Sequence, residues 1–152
     1  MYIHRHDTAV LLIEGADERE AAENMARLRK AARRNGFRVL VSPRWCSAAD
    51  DGPGAPHEAG GFTDLVDELR RHGVRQVILA GMSAHPGVES RLRELLELGF
   101  AVIVARDATT GPRPPDWGDG YMAAQIDFAF LAHAACSTDK LVSAIGRSLA
   151  SA

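Results

Sequence analysis

The chain has 152 residues, of which 46% are hydrophobic and 25% charged, and its formal net charge at pH 7 is -2. This composition is typical of one globular domain, and it excludes a disordered chain and the basic surface that attracts nucleic acid or anionic membranes. No apolar stretch approaches the roughly 18 residues of a membrane span, and the N-terminus lacks the apolar segment of a signal peptide. We therefore expect a cytoplasmic protein.

The first half of the chain alternates between strand and helix patterns. A continuous apolar run at 8–14 (TAVLLIE) predicts a strand that is buried on both faces. Helical spacing follows over 17–35, and a second strand is predicted over 37–43. A stretch of structure-breaking residues at 44–61 is the only long loop candidate, and it precedes an amphipathic helix over 62–73.

The second half continues the same alternation. A strand over 74–81 (VRQVILAG) leads through a small-residue bend into a helix over 86–99, and a further strand is predicted over 100–108. A proline-rich connector at 109–118 then precedes a helix over 119–134. Three large apolar residues of this last helix are expected to face the core: Met122, Ile126 and Phe130.

The C-terminal segment adds a short strand over 135–138 and a closing helix that is capped at Thr138 or Asp139. Strand and helix thus alternate five times, which predicts a doubly wound parallel sheet of about five strands with helices on both faces, a three-layer α/β/α fold. The absence of a linker or repeat predicts a single domain over 1–152.

In sheets of this kind, ligands bind outside the carboxyl ends of the strands, at the point where the winding reverses. If the first strand lies between the second and the third, that crevice is between residues 14–17 and 81–87. The bend GMSAHPG (81–87) would then line it, with the backbone N–H groups of Gly87 and Val88 at the positive end of a helix dipole. These groups would attract an anion or a carbonyl oxygen. The alternative is an ordinary strand-to-helix turn.

The stretches VILAGMSAHPGVESRLRELLELGFAVIVARDATTG (77–111) and MAAQIDFAFLAHAACSTDKLVSAI (122–145) resemble the second half of the isochorismatase-like hydrolase superfamily. They repeat its strand, bend, helix and strand, its Asp-Ala pair and its Thr-Asp at the last helix. The Ala-His-x-Gly element at 84–87 is similar to true isochorismatases, which carry glycine where their relatives carry a nucleophilic cysteine. Such enzymes cleave a vinyl ether by acid catalysis, and the resemblance implies that Gly87 makes space for a ring carboxylate.

The chain departs from this family at its other catalytic positions. Alignment of the first strand puts Gly15 where the family's catalytic Asp belongs and Asp17 at the position of its Gln, whereas a one-residue slip would put Glu14 there. The family's lysine, expected shortly before the GGF at 60–62, is absent. The resemblance therefore implies the fold and the crevice more directly than the reaction.

The sequence predicts neither a metal nor a cofactor. The Asp-x-His that binds zinc in nicotinamidase-like relatives reads Arg44-Trp45-Cys46 here, and Cys46 and Cys136 lack the spacing of a zinc site or a disulfide framework. Arg44 either binds a substrate carboxylate or is an exposed loop residue. Asp107, at the end of a strand, is expected to tie loops together through its hydrogen bonds.

Two sets of candidate site residues result. The candidate catalytic residues are Glu14, Asp17 and His85. The candidate substrate-binding residues are Gly15, Arg44, Trp45, Ser83, Ala84, Gly87 and Val88. Asp17 could instead cap the first helix, and His85 could instead support the bend.

Three functions remain open from the sequence. The first is an enzyme that acts on a small cyclic or carboxylated metabolite by acid–base chemistry, in bacterial secondary metabolism. The second is a catalytically dead member of the fold that binds a ligand or serves in assembly. The third is a cysteine amidase that uses Cys46 or Cys136. The family resemblance also implies a homo-oligomer, and we expect no nucleic-acid or membrane partner.

Overall fold

The computed structural model describes residues 2–13, 19–42, 62–82, 87–111, 113, 115–116 and 118–148. The strands in this part of the chain are β1 (Thr8–Ile13), β2 (Arg38–Ser42), β3 (Gln76–Met82), β4 (Ala101–Thr110) and β5 (Ala134–Cys136). The helices are α1 (Arg19–Arg34), α2 (Phe62–Arg71), α3 (Glu89–Glu97), α4 (Gly120–Leu131) and α5 (Thr138–Arg147). The predicted alternation of strand and helix is confirmed.

The five strands form one sheet in the order β2-β1-β3-β4-β5, and every neighbouring pair is parallel. β1 is therefore flanked by β2 and β3, as expected. At its carboxyl end, Ile13 lies between Ser42 of β2 and Gly81 of β3. The chain winds to one side of β1 and then to the other, so the reversal point lies beside this strand.

Helices cover both faces of the sheet, which confirms the three-layer α/β/α architecture. β1 serves both layers because successive side chains of a strand point to opposite faces. The core on the side of α1 and α5 includes Val10, Leu12, Met25, Leu28, Leu141 and Ile145. The core on the side of α2, α3 and α4 includes Leu11, Ile13, Leu69, Leu92, Leu95 and Phe128. Within the described ranges, no helix is long and apolar enough to cross a membrane.

The orientation of α4 differs from the prediction. Met122, Ile126 and Phe130 were expected to face inward, but their side chains are 54%, 57% and 83% exposed. The helix instead packs on the sheet through Ala124 and Phe128, both fully buried. Because α4 is apolar around most of its circumference, its hydrophobic pattern does not specify which side faces the sheet.

The start of α5 also differs by one residue from the prediction. The N-cap is Ser137, whose hydroxyl accepts a hydrogen bond from the backbone N–H of Lys140 at 3.4 Å, rather than Thr138 or Asp139. Thr138 is already the first residue of the helix, and its hydroxyl points to the Asp107 carboxylate, to which it donates a hydrogen bond at 2.7 Å. The cap therefore moves to the preceding serine.

β4 is longer than predicted because it contains a bulge. Leu79 of β3 pairs with Val104 of β4, and Gly81 pairs with Thr109. Between these two pairs, β4 advances by five residues while β3 advances by two. The four residues 105–108 thus lie opposite the single residue Ala80, after which pairing resumes. β-bulges of this kind redirect side chains and often lie beside functional sites.

Candidate functional site

The centre of the candidate site is the carboxyl end of β1 beside the carboxyl end of β3. Ile13 and Gly81 are direct neighbours in the sheet. Gly81 has a φ of +146°, and a Cβ atom there would lie 2.4 Å from the Ile13 carbonyl oxygen. Only glycine tolerates both this conformation and this approach. The predicted side-by-side placement of the two strand ends is thus confirmed.

The amino end of α3 follows the bend after β3. Gly87 and Val88 form a helical turn ahead of α3, and both are buried. Val88 has helical dihedral angles (φ -64°, ψ -39°) and provides no side-chain cap. The first backbone N–H groups of a helix lack partners within the helix, and the helix dipole makes this end positive. Gly87 and Val88 can therefore offer backbone N–H groups to a negatively charged oxygen, but neither has a nucleophilic side chain.

All eight of the other candidate residues lie outside the described part of the chain. This applies to Glu14, Gly15, Asp17, Arg44, Trp45, Ser83, Ala84 and His85. Their catalytic and substrate-binding roles remain predictions.

The β4 bulge forms a hydrogen-bonded junction with α4. The backbone carbonyl of Arg106 accepts hydrogen bonds from the Thr109 hydroxyl at 2.8 Å, the Gln125 amide at 3.2 Å and the Tyr121 hydroxyl at 3.3 Å. The bulge removes this carbonyl from regular strand pairing, and side chains supply its partners instead.

On the other side of the bulge, Asp107 connects α5 and α1. Its carboxylate accepts hydrogen bonds from the backbone N–H and the hydroxyl of Thr138, each at 2.7 Å. Its backbone carbonyl accepts from the Asn24 side-chain amide at 2.8 Å, and Arg27 donates to the Asn24 side-chain oxygen at 3.0 Å. Asp107 was expected to tie loops together through its hydrogen bonds; it does form such bonds, but they join the β4 bulge to the helices α5 and α1.

Asn24 and Tyr121 belong to this junction but were not predicted from the sequence. Asn24 is only 9% exposed and lies on the same face of α1 as Met25 and Leu28. The sequence did contain a signal for Asn24, because it is a polar residue on an otherwise apolar helical face. A buried amide needs hydrogen-bond partners, so this position indicates a bonding role. Tyr121 had no comparable signal, because its position depends on the fold of the β4–α4 connection.

Tyr121 lies close to the segment that follows β4. A Cβ atom on Gly111 would lie 2.9 Å from the Tyr121 backbone, so glycine permits this contact. The Arg113 guanidinium carbon is 5.1 Å from the centre of the Tyr121 ring, and Arg113 Nε is 3.3 Å from Asp119 Oδ2. Burial raises the pKa of the Tyr121 phenol above its usual 10.0, Asp107 raises it further, and Arg113 and Arg106 oppose this. The phenol therefore remains a hydrogen-bond donor at neutral pH.

Cys136 does not lie beside the β1–β3 crevice. It belongs to β5 at the edge of the sheet, and β4 separates that strand from β3. Its side chain is 5% exposed and packs in the core with α1 and α5. In the ranges that the structure describes, no three His, Cys, Asp or Glu side chains are grouped as metal ligands.

Comparison with known proteins identifies the family. The model of the isochorismatase domain matches residues 55–136, more than half of the chain. YecD of Escherichia coli O157:H7, an uncharacterized isochorismatase family protein, is 48% identical over 46 residues, which are 30% of this chain and 24% of YecD. The matched segment thus spans about a quarter of that relative.

Solved structures show the same fold over almost the whole chain. A cysteine hydrolase from Pseudomonas syringae pv. phaseolicola has a TM-score of 0.79 and 16% identity, with 97% of this chain and 96% of that chain covered. YcaC from Escherichia coli, an octameric hydrolase of unknown specificity, has a TM-score of 0.70 and 16% identity, with 99% and 85% covered. The family match and the shared fold agree, and this chain is a member of the isochorismatase family.

Proposed function

We propose that this protein is an isochorismatase-family enzyme that acts on a small cyclic or carboxylated metabolite by acid–base chemistry. The observation that carries the proposal is the pairing of Ile13 with Gly81, because the segments that begin at Glu14 and lead to Gly87 both continue from this point. A carboxylic acid on the first segment would then meet a helix start that has no nucleophile.

The proposed reaction uses a proton donor and an anion-binding helix end. Glu14 or Asp17 donates a proton to the substrate, and His85 orients either the ligand or the bend. The backbone N–H groups of Gly87 and Val88 polarise an oxygen that gains negative charge, as oxyanion-stabilising groups do. For a vinyl ether, protonation of the terminal carbon allows water to add to the ether carbon, and the resulting hemiketal breaks down to a ketone and an alcohol.

The remaining candidate residues are assigned to substrate binding. Arg44 pairs with a substrate carboxylate, because its planar guanidinium can donate two parallel hydrogen bonds. Trp45 stacks on a ring, while the small residues of the bend leave room for it. These assignments favour a small substrate, a ring that carries a carboxylate, over a bulky polymeric substrate.

The test compares carboxylate variants on a defined probe. Isochorismate is supplied, and pyruvate release is measured for the wild type, Glu14→Gln, Asp17→Asn and the double variant. Loss of the proton donor is expected to lower kcat by about 10²–10⁴-fold. Glu23→Gln, an exposed carboxylate on α1, is the control and retains full turnover. Turnover that survives in the double variant would overturn the acid–base proposal.

A second candidate function is a ligand-binding or assembly subunit without catalytic activity. The two lysines of the chain, Lys30 on α1 and Lys140 on α5, are both exposed, and neither lies shortly before residues 60–62, where the resemblance places the family's lysine. This loss favours a protein that has kept the fold without the reaction. Binding of isochorismate by calorimetry with no pyruvate release would support this candidate. Turnover by the purified protein would exclude it.

We also infer that the protein forms a homo-oligomer. The relative YcaC is an octamer. Self-association is compatible with both candidate functions, and for the second it would be the assembly role itself. The state is measured by sedimentation of the purified wild-type chain, and a monomer at every concentration would contradict this inference.

A further inference from the structure

The outward face of α4 is an apolar stripe with no charged side chain. Met122, Ile126 and Phe130 succeed one another at every fourth position and are 54%, 57% and 83% exposed. Ala123 and Ala129 lie beside them and are also exposed. Helix residues four apart lie above one another on the same face, so the three large side chains form a continuous ridge.

Such a ridge is unusual for a helix that lies on the outside of a monomer. α4 already buries Ala124 and Phe128 against the sheet, so it is apolar on both its inner and its outer face. Helices that are apolar all round are normally buried on all sides. A contiguous apolar patch with a polar margin marks a protein-binding surface. Methionine and aromatic residues without charges are also the typical centre of an interface.

We propose that this stripe is the interface between two copies of this chain, packed about a two-fold axis at Ile126. The proposal rests on the inferred homo-oligomer and names the surface that forms it. The paired helices run antiparallel, and Ile126 of each copy contacts Ile126 of the other. The symmetry of the stripe itself favours a second copy over an unrelated partner.

The apolar residues are placed symmetrically about Ile126. Met122 and Phe130 are each four residues away, and Ala123 and Ala129 are each three residues away. An antiparallel pair centred on Ile126 therefore brings Met122 of one copy level with Phe130 of the other, where a thioether can contact an aromatic ring. It also brings Ala123 level with Ala129, so small residues allow the two helices to approach closely. A two-fold interface needs this self-complementarity, because the same patch is used twice.

The charges around the stripe are compatible with this contact. Asp127, on the flank of α4, is half-buried, and its Oδ2 atom is 3.8 Å from Nη2 of Arg93 on α3. The same Nη2 atom is 3.0 Å from Oε1 of Glu89, so Asp127 shares this guanidinium with a second carboxylate at the margin of the stripe. Because the ridge itself is uncharged, two copies can meet there without bringing like charges together.

The first test places a carboxylate on the proposed axis. Ile126→Asp puts two like charges opposite each other in an apolar contact, which is expected to weaken self-association by at least ~100-fold in sedimentation experiments. Tyr2→Asp is the matched control, because Tyr2 is an aromatic residue that is 85% exposed but lies outside the stripe. This control is expected to associate like the wild type, and circular dichroism confirms that both variants are folded.

The second test measures proximity and does not depend on disruption. In a Cys46→Ser background, Ile126→Cys is expected to form a covalent dimer under mild oxidation, because a residue on a two-fold axis meets its own copy within disulfide reach. Cys136 is buried in the core and provides little background. Tyr2→Cys in the same background gives the rate of chance crosslinking.

The outcomes separate this proposal from the function proposed above. A wild-type oligomer that persists in Ile126→Asp, with no crosslinking above the Tyr2→Cys rate, overturns the α4 interface but leaves the homo-oligomer intact. A wild-type chain that is monomeric throughout the micromolar range overturns both. Pyruvate release is measured separately, so neither result depends on whether the protein is an enzyme.

Discussion

The backbone carbonyl of Ile13 and the α-carbon of Gly81 lie so close that a Cβ atom on Gly81 would be 2.4 Å from the carbonyl oxygen. This contact allows the ends of β1 and β3 to lie side by side where the winding of the sheet reverses. It also makes Gly81 a structural requirement of the candidate site, although the residue has no side chain to contribute to chemistry.

Replacement of Gly81 by alanine is expected to destabilise the protein. The substitution combines a strained φ of +146° with a clash against backbone, which cannot move as a flexible side chain could. We expect the free energy of unfolding to fall by about 2 kcal/mol or more, measured by urea denaturation. Gly146→Ala is the control: it lies inside α5 with no atom within 4 Å of the new Cβ, and it should stabilise by about 0.5–1 kcal/mol. Equal effects of the two substitutions would contradict this reading of Gly81.

The Asp107 carboxylate is expected to contribute strongly to stability. Asp107→Ala removes two charge-assisted hydrogen bonds and leaves the fully buried hydroxyl of Thr138 without this acceptor, at a cost of about 2–4 kcal/mol. Asp139→Ala, one residue into α5, removes only the exposed ion pair with Arg27 and should cost at most about 1 kcal/mol. Urea denaturation measures both.

A double-mutant cycle with Thr138→Val checks the assignment of that energy. When both partners are removed, no buried hydroxyl remains to be satisfied, so the double variant should lose less than the sum of the single variants. Strict additivity would show that the Asp107–Thr138 contact does not carry the effect.

Two phenylalanines on α4 provide a direct test of its orientation. Phe128 is fully buried and Phe130 is 83% exposed. In an Ile126→Asp background, which the proposed interface requires to be monomeric, Phe128→Ala should lower the free energy of unfolding by about 3–5 kcal/mol. Phe130→Ala in the same background should change it by less than about 0.5 kcal/mol. The reverse order would mean that the helix packs through its other face.

Tyr121 is expected to make stability depend on pH in the alkaline range. Burial, followed by the charge of Asp107, raises the pKa of its phenol above 10.0, so the folded protein holds this proton more tightly than the unfolded chain does. The stabilising contribution is therefore complete below pH 10 and is lost as the pH rises through the pKa of the folded state.

Ultraviolet absorbance of the phenolate provides the measurement for Tyr121. The chain has two tyrosines, so Tyr2→Phe leaves Tyr121 as the single reporter. Its titration midpoint in the folded protein should lie above that of the same variant in urea. A midpoint at or below the unfolded value would contradict the prediction, and Tyr121→Phe should remove this part of the alkaline loss of stability.

The fold could be inferred from local sequence patterns because local properties of the chain determine where strands and helices form and which of their faces are buried. Apolar runs such as that of β1 can be buried on both faces only in a covered parallel sheet, and amphipathic spacing fixes which face of α1 turns inward. The strand-to-helix alternation then leaves few topologies. Asp107 could also be predicted to bond, since a carboxylate at a buried strand end needs partners.

The sequence by itself determined the order of the elements and the parallel sheet, whereas the structure established that β1 lies beside β3. Only the tertiary structure decided which side of α4 packs on the sheet, because a helix with Phe128 on one side and Phe130 on the other has no preferred apolar face. The same holds for the β4 bulge, which exists only in register with β3. It also holds for Gly81, whose need for glycine arises from the neighbouring Ile13 backbone and not from its own place in the chain.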